Sequence, residues 1–401
     1  MLRSAPGALR ATLTIASLGA ASITAAPAHA YTWMISHGYT TCNQCHFDPS
    51  GGGLLTAYGR AQGELLLRTT YGEGELEDPG PAGEFAFGLV PLPEPLAVGL
   101  SYRGAMFGLK AGSSDLDTRY ILMQADARAH LKVGPVRAYG SVALGIDGGG
   151  IRASLTTNDS TNLLSREHWI GVDLGAEDQF LVRAGRMALP YGVRGIEHTM
   201  WTRRATRTDI NDAQQHGVAV AYNGENLRGE VMAILGNFQA SPDTFRERGY
   251  SGYVEYFFDN KTALGVSSML TNANTDVALQ VGLVRQAHGL FVRKGIGEHV
   301  VVLAETDLLV NSPSGGDTQL GNASLLQVDW ELTRGVHLMP AVELLLSPTA
   351  NAEPGLGAWI SATWFFWSHM DIRLDTFLRN TAAGTERVNT FGFLGQFHFY
   401  L

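Results

Sequence analysis

Apolar and polar residues alternate with a period of two along most of the chain, from about residue 97 to the last residue. Between residues 123 and 133 every second position is apolar, and the positions between them hold Gln124, Asp126, Arg128, His130 and Lys132. The same division recurs at 302–310, 326–332 and 372–378. Because successive side chains of a strand point to opposite faces, the pattern predicts β-strands with one apolar and one polar face.

Strand length and loop order distinguish a membrane barrel from a soluble β-sandwich, since alternation occurs in both. We count about sixteen segments of about ten to sixteen residues, whereas a tilted strand needs about nine to eleven residues to cross a bilayer. Tight turns such as 134–135 and 368–369 alternate with long connections near 110–118, 147–164, 189–214, 237–248, 311–318 and 348–356. Long outer loops and short periplasmic turns are typical of outer-membrane barrels. The sequence therefore predicts an all-β fold, a transmembrane antiparallel β-barrel of about 16 strands at 96–401.

The last predicted strand has one face that is aromatic almost to the C-terminal residue. This face holds Phe391, Phe393, Phe397, Phe399 and Leu401. The ending resembles the C-terminal assembly signal of outer-membrane barrels, although the usual last residue of that signal is phenylalanine. We therefore expect the chain in the bacterial outer membrane.

Residues 1–30 have the pattern of a secretory signal peptide. Arg3 and Arg10 supply a basic end, the run at 11–25 is apolar and uncharged, and Ala28-His29-Ala30 is a small-x-small cleavage site. The mature protein is expected to begin at Tyr31. No later window holds the run of about eighteen apolar residues that a membrane helix requires.

The composition agrees with a lipid-embedded β protein and argues against nucleic-acid binding. The chain of 401 residues contains 48 glycines and 13 tyrosines, with 17% charged residues and a formal net charge of −9. Neutralising phosphates requires a basic stripe, which the sequence lacks. No nucleic-acid partner is expected.

The stretch Cys42-Asn43-Gln44-Cys45-His46 carries the clearest candidate chemistry. At this spacing the two thiols can add to the vinyl groups of one haem, and the histidine can bind its iron. The alternatives are a disulfide, half of a zinc site, a redox pair or chance. A zinc site would need a second Cys or His pair, and the chain has only 2 cysteines. The motif predicts one covalent haem c, with Cys42 and Cys45 as attachment residues and His46 as proximal ligand.

Residues 31–95 are predicted to form a separate N-terminal haem-binding plug followed by a linker. Apolar residues recur at helical spacing in 54–67, which predicts one short amphipathic helix. The stretch 71–95 is rich in Gly, Pro and Glu, as linkers are. A haem and one or two helical turns make too small a core to fold alone, so we expect this unit at the periplasmic mouth or within the barrel lumen.

The second axial ligand of the iron is left open by the sequence, because His, Met, water or no ligand all occur in haem proteins. His198 ranks first since it lies in the long connection at 190–215. His37 ranks second since it lies in the haem-binding unit, and His216 third since it borders that connection. The chain has 12 histidines, so any one of them is more often an ordinary polar residue.

The connection at 190–215 is long enough to suggest a function, and it carries Arg194, Arg203, Arg204 and Arg207. Folded into the lumen, its arginines would pair with haem propionates or with lumen carboxylates. The alternative is a solvated surface loop. The polar strand faces also hold carboxylates that would attract a divalent cation, namely Asp126, Glu305, Asp307, Asp329, Glu331 and Glu343.

The chain resembles the fused monohaem cytochrome-porins of bacterial outer membranes. It shares with them a secretion signal, one Cys-x-x-Cys-His near the mature N-terminus and a large barrel. At motif level the resemblance rests on Cys42, Cys45 and His46. It implies an electron-transfer protein whose better understood relatives oxidise ferrous iron at the cell surface. The flank at 35–41 differs from the one expected of those iron oxidases, so the donor stays open.

These features predict that the chain moves electrons between an extracellular donor and a periplasmic electron-transfer cytochrome. The donor would be a metal ion such as Fe(II) or a small reductant, and an enzymatic activity would be that of a ferrous iron:cytochrome c oxidoreductase. The alternative is a solute-conducting porin whose haem segment is a structural or redox-sensing plug. A di-haem peroxidase would need a second attachment motif.

Overall fold

The structure is a computed structural model that describes residues 32–49, 51–72, 77–146, 161–175, 179–195, 200–210, 213–383 and 386–401. The predicted signal peptide at 1–30 lies outside the described residues. Before the barrel the described chain forms short helical elements. They are 3-10 turns at Thr32–His37, Cys42–Gln44, Gly80–Gly83 and Phe85–Gly88, helix α1 at Ala57–Gln62, and a π-helical turn at Gly63–Leu67.

The amphipathic segment predicted at 54–67 is helical over a shorter length than expected. Thr56 caps helix α1, because its side-chain oxygen accepts a hydrogen bond of 2.9 Å from the backbone N–H of Gly59. Residues 54 and 55 precede this cap in extended backbone, and Leu55 forms a bridge to His46. The predicted linker is also more structured than expected, since it contains the last two 3-10 turns.

The rest of the described chain consists of strands and their connections. The strands are β1 (Leu96–Ala111), β2 (Asp117–Val133), β3 (Val136–Ile146), β4 (Thr161–Leu164), β5 (His168–Leu174), β6 (Phe180–Met187), β7 (Gln215–Asn223), β8 (Leu227–Gly236), β9 (Arg248–Asp259), β10 (Thr262–Ala273), β11 (Leu283–Ile296), β12 (Val300–Pro313), β13 (Gln319–Thr333), β14 (Val336–Leu346), β15 (Gly355–Trp367), β16 (Met370–Ala383) and β17 (Glu386–Tyr400).

The strands form one closed antiparallel barrel. Each strand pairs with its neighbours in sequence, and β1 pairs with both β2 and β17, which closes the sheet. Both β4 and β5 pair with β3, so these two short strands are halves of one barrel strand interrupted at 165–167. The 17 strands of the sheet therefore make a 16-stranded barrel. The prediction of an all-β barrel of about 16 strands is confirmed.

The two faces of the barrel wall have opposite character. On β9, Val254, Tyr256 and Phe258 are exposed on the outside, while Tyr253 and Glu255 between them are buried on the inside. Charged residues inside and aliphatic or aromatic residues outside are the reverse of a soluble protein and fit a wall surrounded by lipid. The face assignment predicted for residues 123–133 is also correct, since Asp126 and His130 are buried whereas Leu131 and Val133 are exposed.

The two ends of the barrel differ in the length of their connections. One end carries tight turns at 134–135, 260–261, 334–335 and 368–369, and the other carries the long connections at 188–214, 237–247 and 347–354. At the long-loop end, the connection between β16 and β17 at 384–385 is short. The apolar exterior and this asymmetry place the chain in the bacterial outer membrane, with the tight turns at the periplasmic end. No helix of the described residues is long and apolar enough to cross a membrane.

The N-terminal unit lies inside the barrel and contacts separate parts of the wall. Trp33 stacks on His337 of β14 with ring centroids 5.0 Å apart, and Phe47 stacks on His130 of β2 at 3.9 Å. The unit also reaches the periplasmic turns, since Ser368 donates a hydrogen bond of 2.8 Å to Glu64. Inward packing therefore supplies the core that this short segment lacks by itself.

Candidate functional site

The Cys-x-x-Cys-His turn lines a cavity inside the lumen. Cys42–Gln44 forms a 3-10 turn, and the backbone N–H of His46 donates a hydrogen bond of 2.9 Å to the Cys42 carbonyl. Cys42, Cys45 and His46 all border the cavity, which has about 1830 Å³ of empty space, including space open to solvent. The two cysteines are buried free thiols. The structure thus brings the three motif residues to one space.

Glycines allow the chain to fold closely around this turn. Gly51 has a φ of +86°, and a Cβ there would lie 3.1 Å from the Cys42 Sγ. A Cβ at Gly59 of helix α1 would lie 2.2 Å from the Cys45 carbonyl oxygen. Helix α1 therefore packs directly on the backbone of the motif, and only glycine fits at that contact.

An arginine pair on the barrel wall holds the chain just before and at the first cysteine. Arg228 of β8 donates a hydrogen bond of 3.1 Å to Cys42 Sγ, and Arg293 of β11 donates one of 3.0 Å to the Thr40 carbonyl. Glu255 of β9 binds both guanidinium groups. Each of its carboxylate oxygens lies 2.6 Å from the Nε of one of the two arginines. All three charged side chains are buried. Such charge-assisted hydrogen bonds orient the donors that face the motif.

A second ion pair holds the chain just after the histidine. Arg183 of β6 donates a hydrogen bond of 2.9 Å to Asp48, two residues beyond His46, and it also pairs with Glu230 of β8. Arg183 is 0% exposed. Its guanidinium carbon lies 5.1 Å from the ring centroid of Trp169. The motif is therefore tied to the wall on both sides.

The electrostatics of the cavity favour an anionic group. Its described lining contains one carboxylate, Glu167, and six arginines, which are Arg103, Arg128, Arg166, Arg194, Arg228 and Arg293. Arg128 and Arg166 share Asp126, while Arg228 and Arg293 share Glu255. Two carboxylates thus serve four guanidinium groups. The remaining positive charge suits the propionate carboxylates of a haem, which arginine binds well.

The break between β4 and β5 contributes directly to this lining. Residues 165–167 leave the regular ladder there, and both Arg166 and Glu167 border the cavity. Ser141 of β3 fixes the break, because its backbone N–H donates a hydrogen bond of 2.9 Å to the Glu167 carbonyl. Irregularities of this kind often redirect side chains toward functional sites.

Burial favours the neutral form of the Cys45 thiol and of the His46 imidazole. It raises the pKa of the Cys45 thiol to about 12, with a further contribution from Cys42. Burial also lowers the pKa of His46 to about 4, although Asp48 opposes this change. Redox and metal-binding cysteines have lowered thiol pKa values, so Cys45 does not resemble them. A neutral imidazole is the form that binds haem iron.

The long connection at 188–214 forms the outer wall of the cavity. Its helix α2 (Trp201–Thr206) lies in the lumen, where Glu343 accepts a hydrogen bond from the Trp201 backbone N–H. Arg203 pairs with Glu305, which also accepts a hydrogen bond of 2.9 Å from the Val193 backbone N–H. The loop folds inward as predicted, and of its arginines Arg203 binds a lumen carboxylate.

The six predicted lumen carboxylates are all buried inside the barrel, but their partners differ from the expectation. Asp126 pairs with arginines, Glu305 with Arg203, and Glu343 with Arg379. Asp307 accepts a hydrogen bond from Tyr191, while Asp329 contacts His337 and Glu331 contacts His37. Four of these carboxylates hold the loop or the plug, whereas Asp126 and Asp329 pair with residues of the barrel wall. Within the described ranges, no group of three or more His, Cys, Asp or Glu residues is arranged to hold a metal ion.

Two of the histidines predicted as second axial ligands, His37 and His216, are described, and neither of them borders the cavity. His37 Nε2 lies 3.1 Å from Glu331 Oε2 on the barrel wall. His216 of β7 accepts a hydrogen bond of 3.2 Å from the Phe238 backbone N–H. His37 and His216 are both absent from the described cavity lining. His198 lies outside the described residues. Of the arginine lining, only Arg194 was anticipated; the other arginines and Met34, which borders the cavity, were missed because only the fold brings them there.

Comparisons with known proteins identify the fold. No protein-family model and no curated protein sequence matches the chain. Among solved structures, OmpT, an outer membrane protein of Vibrio cholerae, has a TM-score of 0.59 at 12% identity, over 78% of this chain and 100% of that chain. The anion-selective porin from Comamonas acidovorans has a TM-score of 0.58 at 13% identity, over 76% of this chain and 99% of that chain.

A third similar structure is the outer membrane channel DcaP of Acinetobacter baumannii, with a TM-score of 0.55 at 11% identity, over 76% of this chain and 97% of that chain. Identities this low show a common fold and leave the function of this chain open. The described barrel thus has the fold of outer-membrane porins.

Proposed function

We propose that the chain is an outer-membrane monohaem c-type cytochrome-porin that moves electrons between an extracellular donor and periplasmic cytochromes. The observation that carries this proposal is the position of Cys42, Cys45 and His46 on one arginine-rich cavity in the lumen. A haem held there by two thioether bonds and the His46 imidazole would supply one-electron redox chemistry. A metal ion such as Fe(II) or a small reductant is the proposed donor.

The chain's own residues would position and shield this group. Arg228 and Arg293 orient the first part of the motif, and Arg183 orients the chain after His46. Arg103, Arg128 and Arg166 supply guanidinium groups for the propionates. The surrounding apolar residues, such as Leu54 and Phe291, would keep water from the iron and thereby tune its potential.

The two layers around the cavity suit a transfer between the two sides of the membrane. The N-terminal unit closes the cavity toward the periplasmic turns, and the connection at 188–214 covers it toward the outside. A bilayer core is about 30 Å thick, so a redox group inside the lumen shortens the distance that an electron must cover between partners at the two ends. This arrangement supports the electron-transfer proposal.

A solute-conducting porin is the second candidate function. The porin-like fold favours it, since the anion-selective porin and the DcaP channel share the barrel architecture. Under this alternative the N-terminal unit is a structural or redox-sensing plug. Its contacts with two separate parts of the wall, through Trp33 and Phe47, leave less of the lumen for a solute path.

Proteoliposomes distinguish the two functions. Vesicles containing the purified chain and trapped ferricytochrome c are exposed to a reductant coupled to dextran, which is too large for a barrel pore. Sugar and anion leakage is measured on the same vesicles by swelling. The matched control is the double variant Cys42→Ser, Cys45→Ser.

If the chain transfers electrons, vesicles with the wild-type chain will reduce the trapped cytochrome. The double variant should reduce it at least tenfold more slowly, which corresponds to an activation free energy higher by on the order of one and a half kcal/mol. A solute leak equal in both proteins, with no reduction in either, supports the porin and overturns the proposal.

A further inference from the structure

We infer that Met34 supplies the second axial ligand of the haem iron, opposite His46. This inference rests on the proposed function, because it requires a haem at the Cys-x-x-Cys-His motif. Met34 is 3% exposed and borders the same cavity as the motif. A thioether is one of the ligands that haem iron accepts in c-type cytochromes.

The residues on either side of Met34 fix its turn to the barrel wall. Trp33 stacks on His337 of β14, and His37 Nε2 lies 3.1 Å from Glu331 Oε2 of β13. The Ile35 carbonyl packs against Gly295 of β11, where an added Cβ would lie 3.2 Å from that oxygen. The neighbours of Met34 in this turn therefore contact the wall, whereas Met34 borders the cavity. The turn is therefore anchored in a way that holds the thioether in place.

Met34 and His46 approach the cavity from opposite sides of the barrel. The chain next to His46 packs on β2, through the stack of Phe47 on His130. The chain next to Met34 packs on β11, through Ile35 and Gly295. β2 and β11 are eight strands apart in the closed order of sixteen, since β4 and β5 count as one. Axial ligands bind from opposite faces of a macrocycle, and anchors on opposite walls of the barrel suit that arrangement.

The surroundings of Met34 suit a neutral thioether. Met34 belongs to an apolar cluster that also contains Leu67, Val193, Tyr253 and Phe291. The arginines that face propionates, such as Arg128 and Arg166, lie instead on or beside β2 and β5. Arg194, Arg228 and Arg293 also border this side of the cavity, where they lie over Tyr253 or Phe257 of the apolar cluster. The lining around Met34 is thus apolar and aromatic, with guanidinium groups packed on the aromatic rings.

The other side chains of the described lining that can bind haem iron have different contacts. They are His398, Tyr253 and Tyr400. His398 uses both ring nitrogens, since Nδ1 lies 2.7 Å from Asp371 and Nε2 lies 3.1 Å from Ser101. Tyr253 lies under the Arg194 guanidinium at 4.5 Å, and Tyr400 stacks on His369 at 5.2 Å.

A methionine ligand sets the electronic character of the site. Ligation by Met and His raises the reduction potential of a haem relative to other ligand pairs. The apolar cluster around Met34 acts in the same direction, because it disfavours the more highly charged ferric form. The site would therefore accept electrons from weak reductants, such as a ferrous ion, and deliver them to a periplasmic cytochrome of higher potential.

The test compares Met34→Leu and Met34→His with Met339→Leu. Met339 of β14 is a buried methionine of the same apolar cluster, but it is not among the described cavity-lining residues. The readouts are the long-wavelength absorption band of methionine-ligated ferric haem, the upfield proton resonance of an iron-bound methionine methyl group, and the reduction potential. Haem-stained denaturing gels report covalent attachment in each variant.

The wild type and Met339→Leu are expected to show both methionine signatures, and Met34→Leu to lose both while it keeps covalent haem. Met34→His is expected to give a six-coordinate haem with a lower potential. If the methionine signatures are absent from the wild type, or persist in Met34→Leu, the inference is overturned while the proposed function stands. A folded barrel without covalent haem overturns both.

Discussion

Arg183 of β6 donates a hydrogen bond of 2.9 Å to Asp48, two residues after His46, across 135 positions of sequence. Both side chains are at most 1% exposed, and Arg183 also binds Glu230. The ion pair therefore couples the position of the motif to the barrel wall. It is the contact whose removal should most directly loosen the N-terminal unit.

Replacing Arg183 by alanine is expected to destabilise the packing of the N-terminal unit by about 3–5 kcal/mol, because the buried carboxylates of Asp48 and Glu230 would lose the cation that they share. The measurement is the urea concentration at which a protease begins to cleave within 32–72 in the folded barrel. Arg246→Ala is the control, since its partner Asp243 is 58% exposed. That change should cost at most about 1 kcal/mol. Equal protection in the two variants would contradict the role of Arg183.

Gly59→Ala is expected to displace helix α1 from the motif. The added Cβ would lie 2.2 Å from the Cys45 carbonyl oxygen, and backbone cannot rotate away as a side chain can. Overpacking of this kind costs about 1–3 kcal/mol. The measurement is the yield of covalent haem per folded barrel. Gly140→Ala is the matched control because an added Cβ there meets nothing within 4 Å; an unchanged yield for Gly59→Ala would refute the contact.

Acid should release the connection at 188–214 from the neighbouring connections at 237–247 and 274–282, which bind Arg207. Burial alone would raise the pKa of Asp276, but hydrogen bonds from Arg207 and from backbone N–H groups overcome it and lower the pKa below its usual 3.8. The pKa of Glu247, which also binds Arg207, is lowered too. A lowered pKa in the folded state means that the stabilisation is present above the usual pKa and is lost as the pH falls through the folded value.

We therefore expect protease cleavage of this connection to increase only below about pH 4, as Asp276 and Glu247 become protonated. Arg207→Gln should make the connection sensitive already at neutral pH and remove most of the pH dependence. A wild-type cleavage profile that begins near pH 6, or one that is identical in Arg207→Gln, would assign the tether to other groups.

The barrel could be predicted because its pattern is local. A period of two is visible within ten residues, and the long and short connections follow in sequence, so the wall around Asp126 and His130 was oriented correctly. The interruption of the fourth barrel strand was not predicted, because it follows from how Arg166 and Glu167 fit the cavity rather than from the alternation. The aromatic run at 359–367 also divides between the faces, with Trp364 and Trp367 outside.

The site was predictable only in its covalent part. Cys42, Cys45 and His46 form a motif within five residues, whereas Arg228 and Arg293 reach that motif across 186 and 253 positions. Nothing in the sequence marks these arginines among the many on polar strand faces. His37 shows the opposite limit, since its nearness in sequence suggested an iron ligand but its contact is Glu331 on the wall.

The central claim is that Cys42 and Cys45 carry a haem inside a porin-like barrel. The most direct measurement is the intact mass and the reduced absorption spectrum of the protein, purified from the outer membrane of a host that attaches c-type haem. We predict one covalent haem per folded barrel, lost completely in the double variant Cys42→Ser, Cys45→Ser, whose barrel still folds. A correctly folded wild-type barrel that is colourless and has the mass of its polypeptide alone would contradict the claim.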